Sequence, residues 1–185
     1  MIRVEAGLDQ STYWNQDYLN LINVWSKLIL NSNGEIDGDL SSYGLESKAT
    51  IPDYKGARIE LEIVKKLTNV SNDVIPMNAA YHEVFYLKGE RANPDIVSSL
   101  KIKTSSILNS LFSLTRKKEL AKGHLIICND SKLRAKLKAH PILDFPKISS
   151  IEINKKGFEF KSYKIPNRLK EAHFLMDCLI NASNT

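Results

Sequence analysis

Three carboxylates fall close together in Ile51-Pro52-Asp53 and Ile59-Glu60-Leu61-Glu62-Ile63. Arg58 to Val64 alternates strictly, so it reads as a half-buried strand with Ile59, Leu61 and Ile63 on one face. Residues two apart on a strand point the same way, about 6.5–7 Å from one another. Glu60 and Glu62 therefore share the other face. Asp53 lies on the segment feeding that strand, where a tight turn or a paired strand would bring it alongside. Three carboxylates with water suit a hard cation such as Mg²⁺. A metal so held polarises a phosphodiester, activates water and stabilises the leaving oxygen. Lys65 or Lys66, just past the strand, would add a cation. The plainer reading of the same residues is an amphipathic strand with wet glutamates, preceded by a Pro-Asp turn.

The elements that must position these groups follow from periodicity. Tyr18, Leu21, Ile22, Trp25, Leu28 and Ile29 predict a helix over 17–31, with Asp17 as N-cap. Residues 31–44, rich in Gly, Asn, Asp and Ser, read as a loop or a pair of turns, and Thr68 to Asp73 as a polar loop. Pro76 opens a predicted helix through Leu87, ending before a turn at Gly89 to Pro94. Asp95 to Lys103 reads as a strand, and a helix follows from Thr104 or Ser105 to the basic cluster Arg116, Lys117 and Lys118. Leu125 to Cys128 is fully apolar, as expected of a central strand buried on both faces. Asn129, Asp130 and Ser131 supply a turn and an N-cap for a short basic helix through Lys138. Ile148–Ile153 and Phe158–Tyr163 predict a hairpin around Asn154 to Gly157, and Pro166-Asn167 opens a last helix. The expectation is a single α/β domain over residues 1–185, with a mixed sheet, helices and a C-terminal hairpin and helix.

Composition narrows the classes. The chain has 185 residues, 43% hydrophobic and 25% charged, which excludes a disordered chain, a collagen-like repeat and a disulfide-rich miniature scaffold. Apolar runs are too short for a membrane-spanning helix, and the start has no apolar signal region. Cys128 and Cys178 lack zinc-type spacing and read as buried thiols in a reducing, cytoplasmic compartment. Residues 1–100 carry a net −5, residues 101–147 a net +8 and residues 148–185 a net +2. That is the distribution expected when a carboxylate site approaches a polyanion held by cations. Arg116, Lys117, Lys118, Lys132 and Arg134 are the candidate phosphate contacts, although such lysines are more often simply solvated. No Gly-rich phosphate loop or nucleophile elbow occurs. His82 reads as a helical core-edge residue, His124 and His140 as surface turn residues, and His173 as lying at the edge of a packed face.

IPDYKGARIELEIVKKLTN resembles the active-site region of type II restriction endonucleases of the PD-(D/E)xK fold, the BamHI and BglII kind that carries E-x-E or E-x-Q. NLINVWSKLIL is similar to the opening helix of those enzymes, and the order of elements up to HLIICND is similar as well. The resemblance covers residues 15–130 as pattern. It implies a restriction-endonuclease-like mixed sheet flanked by helices and a Mg²⁺-dependent endonuclease hydrolysing DNA, as in a restriction system. Asp53 and Glu60 would be metal ligands, and Glu62 would stand where the usual lysine or general base does. Lys65 would assist. The interval from Asp53 to Glu60 is shorter than the family's. Taking Glu62 as the second ligand instead leaves Val64 in the terminal lysine position. Double-stranded DNA would be the partner, with RNA as a further candidate, and a homodimer would cut both strands. The other class is a non-catalytic protein that binds nucleic acid or a partner, as immunity proteins and antitoxins do.

Overall fold

A computed structural model describes residues 1–9, 12–68, 80–91, 99–104 and 118–183. Among these, one mixed sheet of ten strands carries three α-helices. Strand β1 (Ile2–Val4) precedes α1 (Tyr13–Asn31), and β2 (Glu35–Ser41), β3 (Gly44–Tyr54), β4 (Ala57–Leu67) and β5 (Tyr81–Arg91) follow. Next come β6 (Leu100–Thr104), β7 (Lys118–Ala121), β8 (His124–Cys128) and α2 (Ser131–Lys138). A 3₁₀ turn (Pro141–Asp144), β9 (Ile148–Asn154), β10 (Gly157–Ser162) and α3 (Leu169–Ser183) complete the chain. The strand order is β1-β2-β3-β4-β5-β10-β9-β6-β8-β7, and all pairings but the parallel β1–β2 are antiparallel.

Strand alternation separates two faces. Ile51, Ile59, Leu61, Ile63, Phe85, Leu87, Phe160, Ile151, Ile102 and Ile126 are buried on one of them. The helices cover that face: Trp25 of α1 packs on Phe85, and Leu175, Met176 and Leu179 of α3 are buried in the same core. The indole Nε1 of Trp25 donates to the carbonyl of Pro166 at 3.1 Å, tying α1 to the segment before α3. Both helices form as their apolar periodicity predicts, and so does the β9–β10 hairpin. The α2 helix also forms where expected. Its Asp130 N-cap accepts from the amides of Lys132 at 2.8 Å and Leu133 at 3.2 Å.

Several expectations are corrected. Helix α1 begins at Tyr13 after Thr12, so Asp17 lies inside it and its carboxylate is spent on Lys65 instead. Residues 35–41, read as turns, form β2 because Ile36 and Leu40 alternate inward between acidic neighbours. Residues 81–91, expected as helix and turn, form β5; Phe85 and Leu87 point inward with period two, while Tyr86 and Lys88 point out. Tyr81, Val84 and Phe85 fit a helical spacing equally well, so the pattern alone is ambiguous. Strand β8 is one place in from the edge rather than central. Strand β6 starts at Leu100 after Ser99, and residues 95–98 of the expected strand lie outside the described residues. His82 sits on β5 rather than a helix, and His124 is buried rather than at a surface turn. Most of the expected 68–73 loop, the start of the helix at Pro76 and the expected helix from Ser105 through Lys117 lie outside the described residues. Both cysteines are free and buried, as expected. No described helix is long and apolar enough to cross a membrane.

Candidate functional site

The β3–β4 hairpin decides where the three expected carboxylates stand. Ile51 pairs with Ile59, a bulge follows, and Tyr54 pairs with Ala57 across Lys55-Gly56. Asp53 lies at this bulge, and its Oδ1 accepts from the Gly56 amide at 2.8 Å. That carboxylate closes the turn. Glu60 and Glu62 do share the face away from the helices, as the alternation predicts. Thr50 and Lys48 of β3 stand opposite them, and Lys88 and Tyr86 of β5 on the other side. Glu60 ion-pairs with Arg58 at 3.5 Å and Lys88 at 3.9 Å, and Glu62 with Lys48 at 3.8 Å. Glu60 and Glu62 line one cavity together with Thr50, a cavity to which Asp53 does not contribute. No group of three His, Cys, Asp or Glu placed to hold a metal occurs among the described residues.

Lys65 is on the opposite face from Glu60 and Glu62. It continues the inward row of Ile59, Leu61 and Ile63 and is only 5% exposed. Its ammonium pairs with Asp17 of α1 and, at 3.0 Å, with Glu83 of β5, and it lies 4.3 Å from the Tyr81 ring centroid. Burial alone would lower its pKa, but the two carboxylates outweigh burial and hold it above the ordinary lysine value. Lys65 therefore bolts α1 to the sheet. The alternation that predicts inward Ile63 also predicts inward Lys65, a signal present in the sequence.

The register lays out the open face in rows. One row runs Glu60, Lys88, Glu159, Glu152, Lys101, Ile127 and Lys118 from β4 to β7. Lys101 pairs with Glu152. Lys103, two residues on along β6, and Lys118 on β7 are exposed and have no carboxylate partner among the described residues. Lys118 is thus the one member of the expected 116–118 cluster that is described, on a strand rather than a helix end. Lys132 and Arg134 lie on α2, which packs into the core through Leu137, rather than on these strands. The Arg134 guanidinium donates to the carbonyl of Cys128 and holds the β8–α2 turn.

A second polar group, unforeseen in the sequence, joins the β3–β4 hairpin to α3. The Tyr54 hydroxyl lies 3.0 Å from His173 Nδ1 and donates to Asp177 at 3.2 Å, while Lys55 reaches Asp177 at 2.6 Å. Burial, with the Asp177 charge beside it, pushes the Tyr54 pKa up to about 12. His173 and Asp177 are one helical turn apart, but nothing in the sequence ties that pair to a tyrosine more than a hundred residues earlier.

No protein-family model matches this sequence, and no curated protein or solved structure is significantly similar to it.

Proposed function

We propose that the chain is a non-catalytic nucleic-acid-binding protein that meets the phosphates of duplex DNA with the β6–β8–β7 end of its open sheet face. The observation that carries this reading is the pair Lys103 and Lys118. Both are exposed on one face beside Lys101, with no carboxylate partner among the described residues. Arg116 and Lys117 adjoin Lys118 in the chain and add to its charge. Unpaired cations along one sheet face suit a polyanion held through its backbone, which supplies affinity without reading bases.

The geometry favours binding over hydrolysis. Asp53 closes a turn, Lys65 serves a buried ion pair on the far face, and Glu60 and Glu62 face lysines and an arginine. A Mg²⁺ site would need a third carboxylate brought beside Glu60 and Glu62, and no such group of three stands together among the described residues. The test is a salt titration of affinity for duplex DNA, run beside incubation of supercoiled plasmid with and without Mg²⁺. Affinity falling steeply between about 50 and 200 mM salt, with plasmid left intact, is the expected result. Mg²⁺-dependent nicking that disappears in Glu62→Ala would overturn the non-catalytic reading in favour of the endonuclease. Absence of salt-dependent affinity for any nucleic acid would overturn binding itself. The mass of the same preparation in solution checks the homodimer that the resemblance implies.

A further inference from the structure

The cavity beside Glu60 and Glu62 lies at the acidic end of the sheet, away from the lysines just described. Its volume is about 1000 Å³, at the upper end of the range for ligand pockets. Ile22, Ser26 and Leu30 line it from α1 on the covered side, and Thr50, Glu60, Glu62 and Tyr86 from the open face. A cavity lined from both sides must reach round the sheet's edge. Glu35–Asp37 of β2 line it at that edge beside Met1, whose ammonium donates to the Ile36 carbonyl at 2.5 Å and pairs with Asp37.

Its chemistry has two parts. Ile22, Leu30 and Ile36 give an apolar wall, with Leu30 60% exposed. Glu35, Asp37, Glu60 and Glu62 give a rim of four carboxylates against two cations, Lys48 and the Met1 ammonium, which lies 3.3 Å from Asp37. The Glu60 and Glu62 ion pairs are long, between 3.5 and 3.9 Å, and exposed. Such pairs contribute little and exchange readily. Lysine and arginine have the matching shape, with aliphatic stems that cover apolar surface and charged heads that stay at the rim.

We propose that this cavity docks a basic, amphipathic segment of a protein partner, its aliphatic stems against Ile22 and Leu30 and its cations on the carboxylate rim. Charge complementarity joined to an apolar wall favours this occupant, independently of the nucleic-acid reading. The probe is a fluorescein-labelled peptide of alternating lysine and leucine, with a glutamate–leucine peptide as control, followed by anisotropy on the full chain. The basic peptide binds and weakens with salt, and the acidic one does not bind. Glu35→Lys combined with Glu62→Lys weakens binding about tenfold or more, and Leu30→Ser weakens it at every salt concentration. Both variants keep the wild-type melting temperature within a few degrees, since all three side chains are on the surface. Equal binding of both peptides, or undiminished binding by folded variants, overturns the proposal. So does sedimentation showing that a second copy of the chain occupies the cavity. DNA affinity read in parallel keeps the two proposals apart, because neither Glu35 nor Leu30 adjoins Lys103 or Lys118.

Discussion

Lys65 is 5% exposed on the covered face of the sheet, with its ammonium between the carboxylates of Asp17 and Glu83. As a reagent it would be expendable to the fold. As a buried cation held by Asp17 and Glu83 it is not, because its removal leaves two half-buried carboxylates facing each other. Lys65→Met should cost about 3 kcal/mol, the lower end of the range for broken buried pairs because Asp17 keeps some solvent. Glu62→Ala, on the wet face, should cost less than about 0.5 kcal/mol. Urea melts of the two variants check the contrast, and equal costs would mean that Lys65 is no bolt. Protonation gives a second test. The raised Lys65 pKa contributes stability that is full below the ordinary lysine value and is lost only as pH rises through the raised one, so it leaves the neutral range flat. His124 and His140 act on the acid side, since burial lowers both pKa values. The unfolded chain then binds more protons than the folded one below about pH 6.5, the ordinary histidine value. Stability is full above that pH and declines as pH falls through it toward the lowered values. Denaturation midpoints followed from pH about 8 to 5 should show this decline, and His124→Phe should flatten it.

At the scale of elements, strands β5 and β10 meet so closely that only glycine fits. A Cβ on Gly89 would strike the ring of Phe158, which lies across it from β10. Gly89→Ala should therefore cost about 1–3 kcal/mol by overpacking, and much of this should return when Phe158→Leu clears the space. Gly56, in the β3–β4 turn, has open space around it and a φ of +81°. Gly56→Ala should cost about 1–2 kcal/mol through the left-handed backbone alone, with or without Phe158. A double-mutant cycle on the unfolding free energies separates the two mechanisms, and equal coupling at both glycines would refute the steric account of Gly89. Helix α1 shows how far local patterning reaches. Its apolar stripe is legible from Tyr18 to Ile29, yet its start is not, because Asp17 resembles a cap as long as Lys65 is out of view. Strand β5 escapes a local reading for a related reason: its inward residues satisfy two periods at once, and only pairing with β4 and β10 selects one.

Across the whole molecule, the charge asymmetry counted along the chain becomes a gradient across one sheet. The acidic residues of β2 and β4 stand toward one edge, and Lys101, Lys103 and Lys118 toward the other. This separation predicts where the proposed salt-dependent DNA affinity would reside. Lys103→Glu combined with Lys118→Glu should flatten the slope of log K against log salt by about 1.8, close to 0.9 for each phosphate no longer neutralised. Asp37→Lys, at the opposite edge, should leave the slope unchanged within error. If both variants change it alike, the chain responds to net charge, and the proposed surface is wrong.

The sequence alone determined the quantities that depend on near neighbours. The Glu60/Glu62 face, the α2 cap at Asp130, the β9–β10 hairpin and the packed stripes of α1 and α3 all follow from spacing within one element. Burial of both thiols and membership of one α/β domain follow from composition and periodicity as well. Tertiary structure decided which groups meet across elements. It gave Asp53 to a turn amide, paired Lys65 with Asp17 and Glu83, brought Tyr54 to His173 and Asp177, and opened a cavity round the β2 edge. Each of these depends on strand order and register, which bring residues far apart in the chain within hydrogen-bond distance. A carboxylate's chemistry depends on which of several cations or amides reaches it first. That competition is decided by packing, so the residue types of the expected site were legible in the chain while their partners were not.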